Sequence, residues 1–143
     1  MNVESILRSK GKTVTTVLPQ ATIRDAVSLL RRHAIGALVV SADGKRVDGI
    51  LSERDIVHAL DDHGTALLDD RVEALMTRRV VTCTPADSLE DLMAQMTERR
   101  VRHIPVLRDG ALAGIVSIGD VVKHRLDEIE FEAKELRSFI AGA

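Results

Sequence analysis

Two short motifs in this sequence have the residue types and spacing to do chemistry: Ser52-Glu-Arg-Asp55 and Ser117-Ile-Gly-Asp120. Each follows a glycine-led apolar run, Gly49-Ile-Leu and Gly114-Ile-Val. A Ser three residues ahead of an Asp starts a helix, its hydroxyl capping the first turn while the carboxylate reaches back to the cap's N–H. A helix start also offers free N–H groups and the positive end of the helix dipole, so the same place suits an anion such as phosphate. Thr22-x-x-Asp25 and Ser88-x-x-Asp91 share the spacing without the glycine-led run, so capping alone accounts for the pattern at those two positions. The densest cationic cluster is Arg99, Arg100, Arg102 and His103. Forked guanidinium groups fit phosphate; Arg99 and Arg100 read as a solvated helix end, whereas Arg102 and His103 stand at the entry to the Ile104-Pro105-Val run.

Other chemistries find no support. The five histidines (His33, His58, His63, His103, His124) lack metal-site spacing: His58 and His63 are not the i, i+4 pair of a helical zinc site. No metal is expected. Cys83, the one cysteine, lies in an apolar run and reads as a small core residue. No nucleophile elbow, Walker loop or dinucleotide glycine fingerprint occurs. A nucleotide hydrolase would need a positioned base or a metal-held water, and the sequence offers no acidic cluster for one. The chain is therefore read as having no catalytic residues.

The elements that must position these motifs come as a repeat. Laying Pro19 on Pro85 places Val14 on Val80, Thr22 on Ser88, Asp25 on Asp91, Ile35 on Val101, Val40 on Val106 and Asp43-Gly44 on Asp109-Gly110. After one dropped residue, Gly49 meets Gly114, Ser52 meets Ser117 and Asp55 meets Asp120. Each copy predicts a short strand (14–17; 80–83) and then a capped helix with apolar residues at Ile23, Ala26, Val27 and Leu30, or at Leu89, Leu92, Met93 and Met96. A buried strand follows (37–40; 104–107), then an Asp-Gly hairpin turn, a returning strand (47–51; 112–116) and a second helix. The fold class is α/β (α+β), two β-α-β-β-α units packed about a pseudo-two-fold axis, with their apolar faces expected to meet in one core. Repeat one spans about residues 10–62 and repeat two about 76–126. A short amphipathic helix over 2–9 precedes them, burying Val3, Ile6 and Leu7. A long C-terminal helix over about 120–140 carries Leu126, Ile129, Ala133, Leu136 and Ile140 on one stripe, which must be covered, naturally by a second subunit.

Composition narrows the function. Apolar residues make up 45% and charged residues 29%, as in a globular domain. A net charge of −2 argues against wrapping nucleic acid, which needs cations on phosphates. There is no Trp or Tyr, and only Phe131 and Phe139 are aromatic, so no platform for stacking single strands exists. No run approaches a membrane span, no signal peptide opens the chain, and a lone cysteine fits a reducing compartment, so a cytoplasmic protein is expected.

The paired units with Gly49-Ile-Leu-Ser52-Glu-Arg-Asp55, and Arg102-His103-Ile-Pro105-Val leading to Gly114-Ile-Val-Ser117-Ile-Gly-Asp120, resemble the CBS (cystathionine β-synthase) domain family, in which a tandem pair forms a Bateman module. The resemblance covers roughly Val3 to Lys123 and is nearest to small stand-alone bacterial pairs. It implies regulatory binding of AMP, ADP, ATP, S-adenosylmethionine or NAD(H) in clefts between the repeats, with the Ser and Asp holding ribose and the adjacent phosphate. It also implies that the base lies on the apolar strand of the other repeat. Ser52 and Asp55 would then share a cleft with Val101, Arg102, His103, Ile104 and Pro105 and with Thr77, Arg78 and Val80. Ser117 and Asp120 would share the other with Ile35, Gly36, Ala37 and Leu38 and with Lys12, Thr13 and Val14. The first cleft reads as phosphate-rich and the second, with its small Gly36 and Ala37, as suited to a flat base; a single tight site would be the second. A homodimer and a regulated protein partner follow from the resemblance. The alternative is a ligand-free interaction or dimerisation module.

Overall fold

The computed structural model describes residues 1–11 and 13–142. Its first helix, α1 (Val3–Lys10), is capped by the Asn2 side chain and buries Val3, Ile6 and Leu7. Repeat one follows as β1 (Thr16–Val17), α2 (Ile23–His33), β2 (Ala37–Val40), β3 (Gly49–Ser52) and α3 (Glu53–His63). A 3-10 turn (Gly64–Asp69) and the single-turn α4 (Val72–Leu75) lead to repeat two, made of α5 (Leu89–Arg99), β4 (His103–Arg108), β5 (Ala111–Ser117) and α6 (Ile118–Ala141). The mixed α+β architecture, with its short first helix and long last one, is the one expected.

In repeat one β1 runs parallel to β2, and β2 pairs antiparallel with β3, Ala37 opposite Ser52. In repeat two β4 and β5 form the antiparallel pair, His103 opposite Ser117. The strand expected over 80–83 shrinks to one parallel bridge, Cys83 to Val106, because only Cys83 bonds on both sides, to the Pro105 carbonyl and the Leu107 N–H, before the chain turns at Pro85. The two Asp-Gly turns also differ. Asp109 and Gly110 both take positive φ, 52° and 81°, the geometry of a two-residue type I′ turn. Asp43 instead anchors a longer loop, its Oδ1 accepting the Lys45 and Arg46 N–H groups at 2.8 Å; β3 consequently starts at Gly49 and not at Val47.

The buried side chains form two clusters, not the single core expected. One gathers Val17, Ile23, Leu38, Leu51, Ile56 and Val72 in repeat one; the other gathers Val3, Ile6, Leu92, Ile104, Val106 and Val116 in repeat two. Each cluster is completed by the segment that precedes the other repeat. The Val72 and Glu73 N–H groups donate to the Ala21 and Pro19 carbonyls of repeat one. The Val3 and Glu4 N–H groups donate to the Asp87 and Pro85 carbonyls of repeat two, at the matching positions. Glycines admit these segments. A methyl at Gly114 would collide with Leu7 Cδ2, and one at Gly49 would meet Met76 Sδ at 2.6 Å and the Thr77 carbonyl at 2.9 Å. The exchange is the reason the faces need not meet in one core. Two side chains expected inside, Val27 and Met93, are instead 39% and 37% exposed.

Candidate functional site

The capping reading of the two motifs holds in detail. The Ser52 hydroxyl accepts the Asp55 N–H at 3.2 Å while Asp55 Oδ2 accepts the Ser52 N–H at 3.0 Å, and Ser117 with Asp120 repeats both bonds at 3.2 and 3.0 Å. Thr22 with Asp25 makes the same box; Ser88 caps α5 through the Asp91 N–H. At Asp55 the other carboxylate oxygen receives no hydrogen bond from the described residues, so it is available to a ligand hydroxyl.

Ser52 and Asp55 open onto a cavity of about 280 Å³. Its floor and wall come from both repeats: Gly36, Ile50 and Ser52 to Asp55 on one side, Thr77, Arg79 to Val81 and Arg100 to His103 on the other. Four arginines, Arg54, Arg79, Arg100 and Arg102, are among its lining residues, against the two acidic residues Glu53 and Asp55. That excess of cations, at the N-terminus of α3, makes the cavity receptive to an anion. Val80, Val81, Val101 and Ile50 give it an aliphatic side, and no Phe, Tyr or Trp lines it. His103 also lines it, against Gly36 of the other repeat. A methyl at Gly36 would sit 3.1 Å from its Nε2 and 3.5 Å from Glu53 Oε1, so glycine is what lets the two repeats touch there. Burial, reinforced by the Lys10 ammonium, holds the His103 imidazole below its ordinary value, against the opposing pull of Glu53 and Asp120.

The second motif sits differently. Lys10, at the end of α1, donates from Nζ to Asp120 Oδ2 at 2.7 Å and to the Ile115 carbonyl at 3.0 Å. Burial alone would raise the Asp120 carboxyl, but the Lys10 and Ser117 hydrogen bonds hold it below the ordinary aspartate value. Because Glu4 and Glu73 make equivalent backbone bonds, Lys10 in one half corresponds to Arg79 in the other. Lys10 is paired to its Asp; Arg79 makes no ion pair among the described residues.

The residues expected from the sequence therefore separate. Ser52, Asp55, Thr77, Val80, Arg102 and His103 come together around the cavity. Gly36 joins them there, rather than the Ser117 and Asp120 cleft, because its Cα packs on His103. Ala37, Leu38, Ile104 and Pro105 are buried in or under the strands, their backbone in the sheets and their side chains turned from solvent. Ile35 packs against the repeat-one core, Thr13 is exposed and Val14 half-buried; Lys12 lies outside the described residues. Arg78 turns away to donate to the Glu73 carbonyl at 3.1 Å, and its neighbour Arg79 faces the cavity in its place. Arg100, read as a solvated helix end, adopts the left-handed conformation that ends α5 (φ 54°) and lines the cavity. Neither arginine was marked by a motif; the repeat alignment extended back through Glu4 and Glu73 is the signal that points to Arg79. Among the described residues no three His, Cys, Asp or Glu side chains gather as a metal site, and no helix is long and apolar enough to cross a membrane. Cys83 is buried, and desolvation pushes its thiol up to about 12.

Fold and cavity together define a paired-repeat module with an anion-receptive cleft between its halves. The chain belongs to the CBS domain family, whose description matches it twice, over residues 3–62 and 72–127. Its fold superimposes on that of the CBS-domain containing protein ATU1752 from Agrobacterium tumefaciens with a TM-score of 0.84 at 47% identity, covering 87% of this chain and 99% of that one. The mitochondrial CBS domain-containing protein CBSX3 of Arabidopsis thaliana is 34% identical over 98% of this chain and 72% of its own length. The CBS domain pair of protein MJ0100, solved in complex with 5'-methylthioadenosine and S-adenosyl-L-methionine, matches with a TM-score of 0.76 at 25% identity, covering 86% of this chain and 98% of that one. CBS pairs are regulatory modules, and some bind adenosine ligands.

Proposed function

We propose that this protein is a regulatory sensor of an adenine nucleotide of the AMP, ATP or NAD(H) type, without catalysis of its own, and that the Ser52 and Asp55 cavity is its binding site. The observation that carries the reading is the lining of that cavity: a carboxylate with a free oxygen at a helix N-terminus, four arginines around it and an aliphatic wall. In this reading Asp55 takes the ribose hydroxyls, the α3 N-terminus and Arg79, Arg100 and Arg102 take phosphate, and Val80, Val81 and Ile50 flank the base. Membership of a family with adenosine-bound members supports it. A ligand touching both repeats favours one relative packing over another by no more than its difference in affinity for the two. Cytoplasmic residence, association of one 143-residue module into homodimers, and transmission of the packing change to a partner protein complete the proposal.

The test is calorimetric titration of the full chain with AMP, ATP, NADH and S-adenosylmethionine. Asp55→Ala should weaken binding at least tenfold, a loss of about 1.4 kcal/mol or more. Asp55→Asn, which keeps a capping oxygen, separates that loss from unfolding. Absence of binding to all four at millimolar concentration overturns the proposal and leaves the ligand-free interaction module.

A further inference from the structure

α6 carries an apolar stripe that its own chain leaves uncovered. From Val122, apolar residues recur at Leu126, Ile129, Ala133, Leu136 and Ile140, in alternating steps of four and three. That is a heptad pattern, the a and d positions of a coiled-coil seam, rather than the broader face of a helix lying on a core. Val122, Leu126, Ile129, Leu136 and Ile140 are 40%, 61%, 46%, 61% and 65% exposed. The other side of the helix is the one that faces its own repeat: Val121 is buried, Arg125 bonds Glu90 of α5, and Glu128 pairs with the Met1 ammonium. At its start the stripe continues into Ile118 and, on the neighbouring α5, Met93, both exposed.

The charges beside the stripe select what can cover it. Acidic residues crowd this helix at Glu128, Glu130, Glu132 and Glu135, which opposes an anionic lipid surface. In heptad terms Arg125 and Glu132 hold g positions, while Glu130 and Arg137 hold e positions. When two copies run parallel and in register, each g faces the e five residues further on in the other helix. Arg125 is already engaged by Glu90 and Glu128 of its own chain, so the charge selection comes from Glu132, which then faces Arg137, opposite in sign. An antiparallel pair overlapping along the whole stripe places Lys123 against Arg137 and sets Glu130 and Glu132 each against itself. Antiparallel registers shifted by a heptad relieve those repulsions only by leaving two seam residues in water, either Leu136 and Ile140 or Val122 and Leu126.

We infer that α6, along its stripe from Val122 to Ile140, forms a parallel, in-register coiled coil with the α6 of a second copy of this chain. The contact is independent of whether any nucleotide binds.

Cysteine cross-linking of the full chain tests it. Leu126→Cys and Leu136→Cys, each alone, should give a covalent dimer on non-reducing gels after copper–phenanthroline oxidation, because in a parallel pair each position faces itself. Phe131→Cys, on the opposite side of the helix, should not. Native Cys83 is buried and serves as the background in the unsubstituted chain. Glu132→Arg should weaken dimerisation by roughly fivefold in sedimentation equilibrium, and adding Arg137→Glu should restore it. Cross-linking only between mixed Leu126→Cys and Leu136→Cys chains would show antiparallel helices and overturn the inference. So would failure of both single variants to cross-link while each keeps the parent's circular dichroism.

Discussion

Lys10 Nζ lies 2.7 Å from Asp120 Oδ2 and is held there by a second bond to the Ile115 carbonyl. The same carboxylate oxygen also accepts the Ser117 N–H. The two halves of the repeat thus differ in one respect that matters for binding: Asp55 faces a cavity, and Asp120 faces a lysine from α1.

On the proposed function, this pair keeps the second site from a ligand until the lysine is displaced. Lys10→Met should therefore raise the stoichiometry of nucleotide binding from one to two per chain, read directly from calorimetry. It should leave the affinity of the Asp55 site within about twofold, a change near the noise of such a measurement. The same substitution shifts acid stability. A carboxyl held low in the fold contributes stability above its unfolded value near 3.9 and loses it as pH falls through the lower folded value. Removing Lys10 takes away the strongest of the interactions that hold Asp120 low, so the acid unfolding midpoint should move upward in pH.

How much of this was legible before any coordinates can be judged at particular residues. Ser52, Asp55, Ser117 and Asp120 were readable because capping depends on a spacing of three, and the two halves were readable because Pro, Gly and Asp matched in register. The exchange of α1 and α4 between halves was not, since Val3, Ile6 and Leu7 declare only an amphipathic helix and say nothing of which sheet it covers. The pairing of Lys10 with Asp120 depends on that exchange and on contact between residues 110 apart. Gly36 was recognisable as a place of close approach, but its partner, His103, is fixed by how the repeats dock. Arg79 was hidden by a local choice: at 78 and 79 two arginines follow Thr77, and the backbone turns the first to Glu73 and the second inward.

His103 gives the cavity a pH dependence of definite sign. Its imidazole is held low by burial and by Lys10, with Arg102 adding to them and Glu53 and Asp120 opposing. In the free protein it stays neutral below the ordinary value near 6.5. A phosphate arriving beside it favours the charged form, so binding takes up a proton. Nucleotide affinity should increase as pH falls from about 7 toward 5.5. With NADH, whose diester phosphates do not titrate in this range, the binding enthalpy should depend on the ionisation enthalpy of the buffer, and His103→Gln should abolish both effects. An affinity flat across this range would mean that phosphate does not reach His103. For the free protein the linkage runs the other way, since the unfolded chain takes up the proton first, and stability should decline as pH drops below about 6.5.

Gly49 and Gly114 are equivalent in the repeat, yet alanine should cost them unequal amounts. At Gly114 the new methyl would collide only with the end of the Leu7 side chain, at Cδ2, with the next atoms at 3.7 and 3.8 Å. Leu7 can turn to another rotamer, though at 3% exposure it has little room. At Gly49 the methyl would meet Met76 Sδ at 2.6 Å and Cγ at 2.9 Å, and also the Thr77 carbonyl at 2.9 Å. A thioether can move aside, but the Thr77 carbonyl is fixed by the Ile50 N–H at 3.0 Å, and the Thr77 N–H returns a bond to the Ile50 carbonyl at 2.9 Å. Relief at Gly49 therefore requires backbone to shift and strains two hydrogen bonds, whereas relief at Gly114 requires a side chain to repack. Overpacking costs about 1–3 kcal/mol, and Gly49→Ala should fall at the upper end of that range, Gly114→Ala at the lower. Guanidinium denaturation of the two variants against the parent checks the order. Because Thr77 borders the cavity, Gly49→Ala should also weaken nucleotide binding by several-fold, an effect Gly114→Ala should lack. Equal losses of stability in both variants would show that the segment over Thr77 yields as readily as a leucine side chain, and that the cavity wall it forms is not rigid.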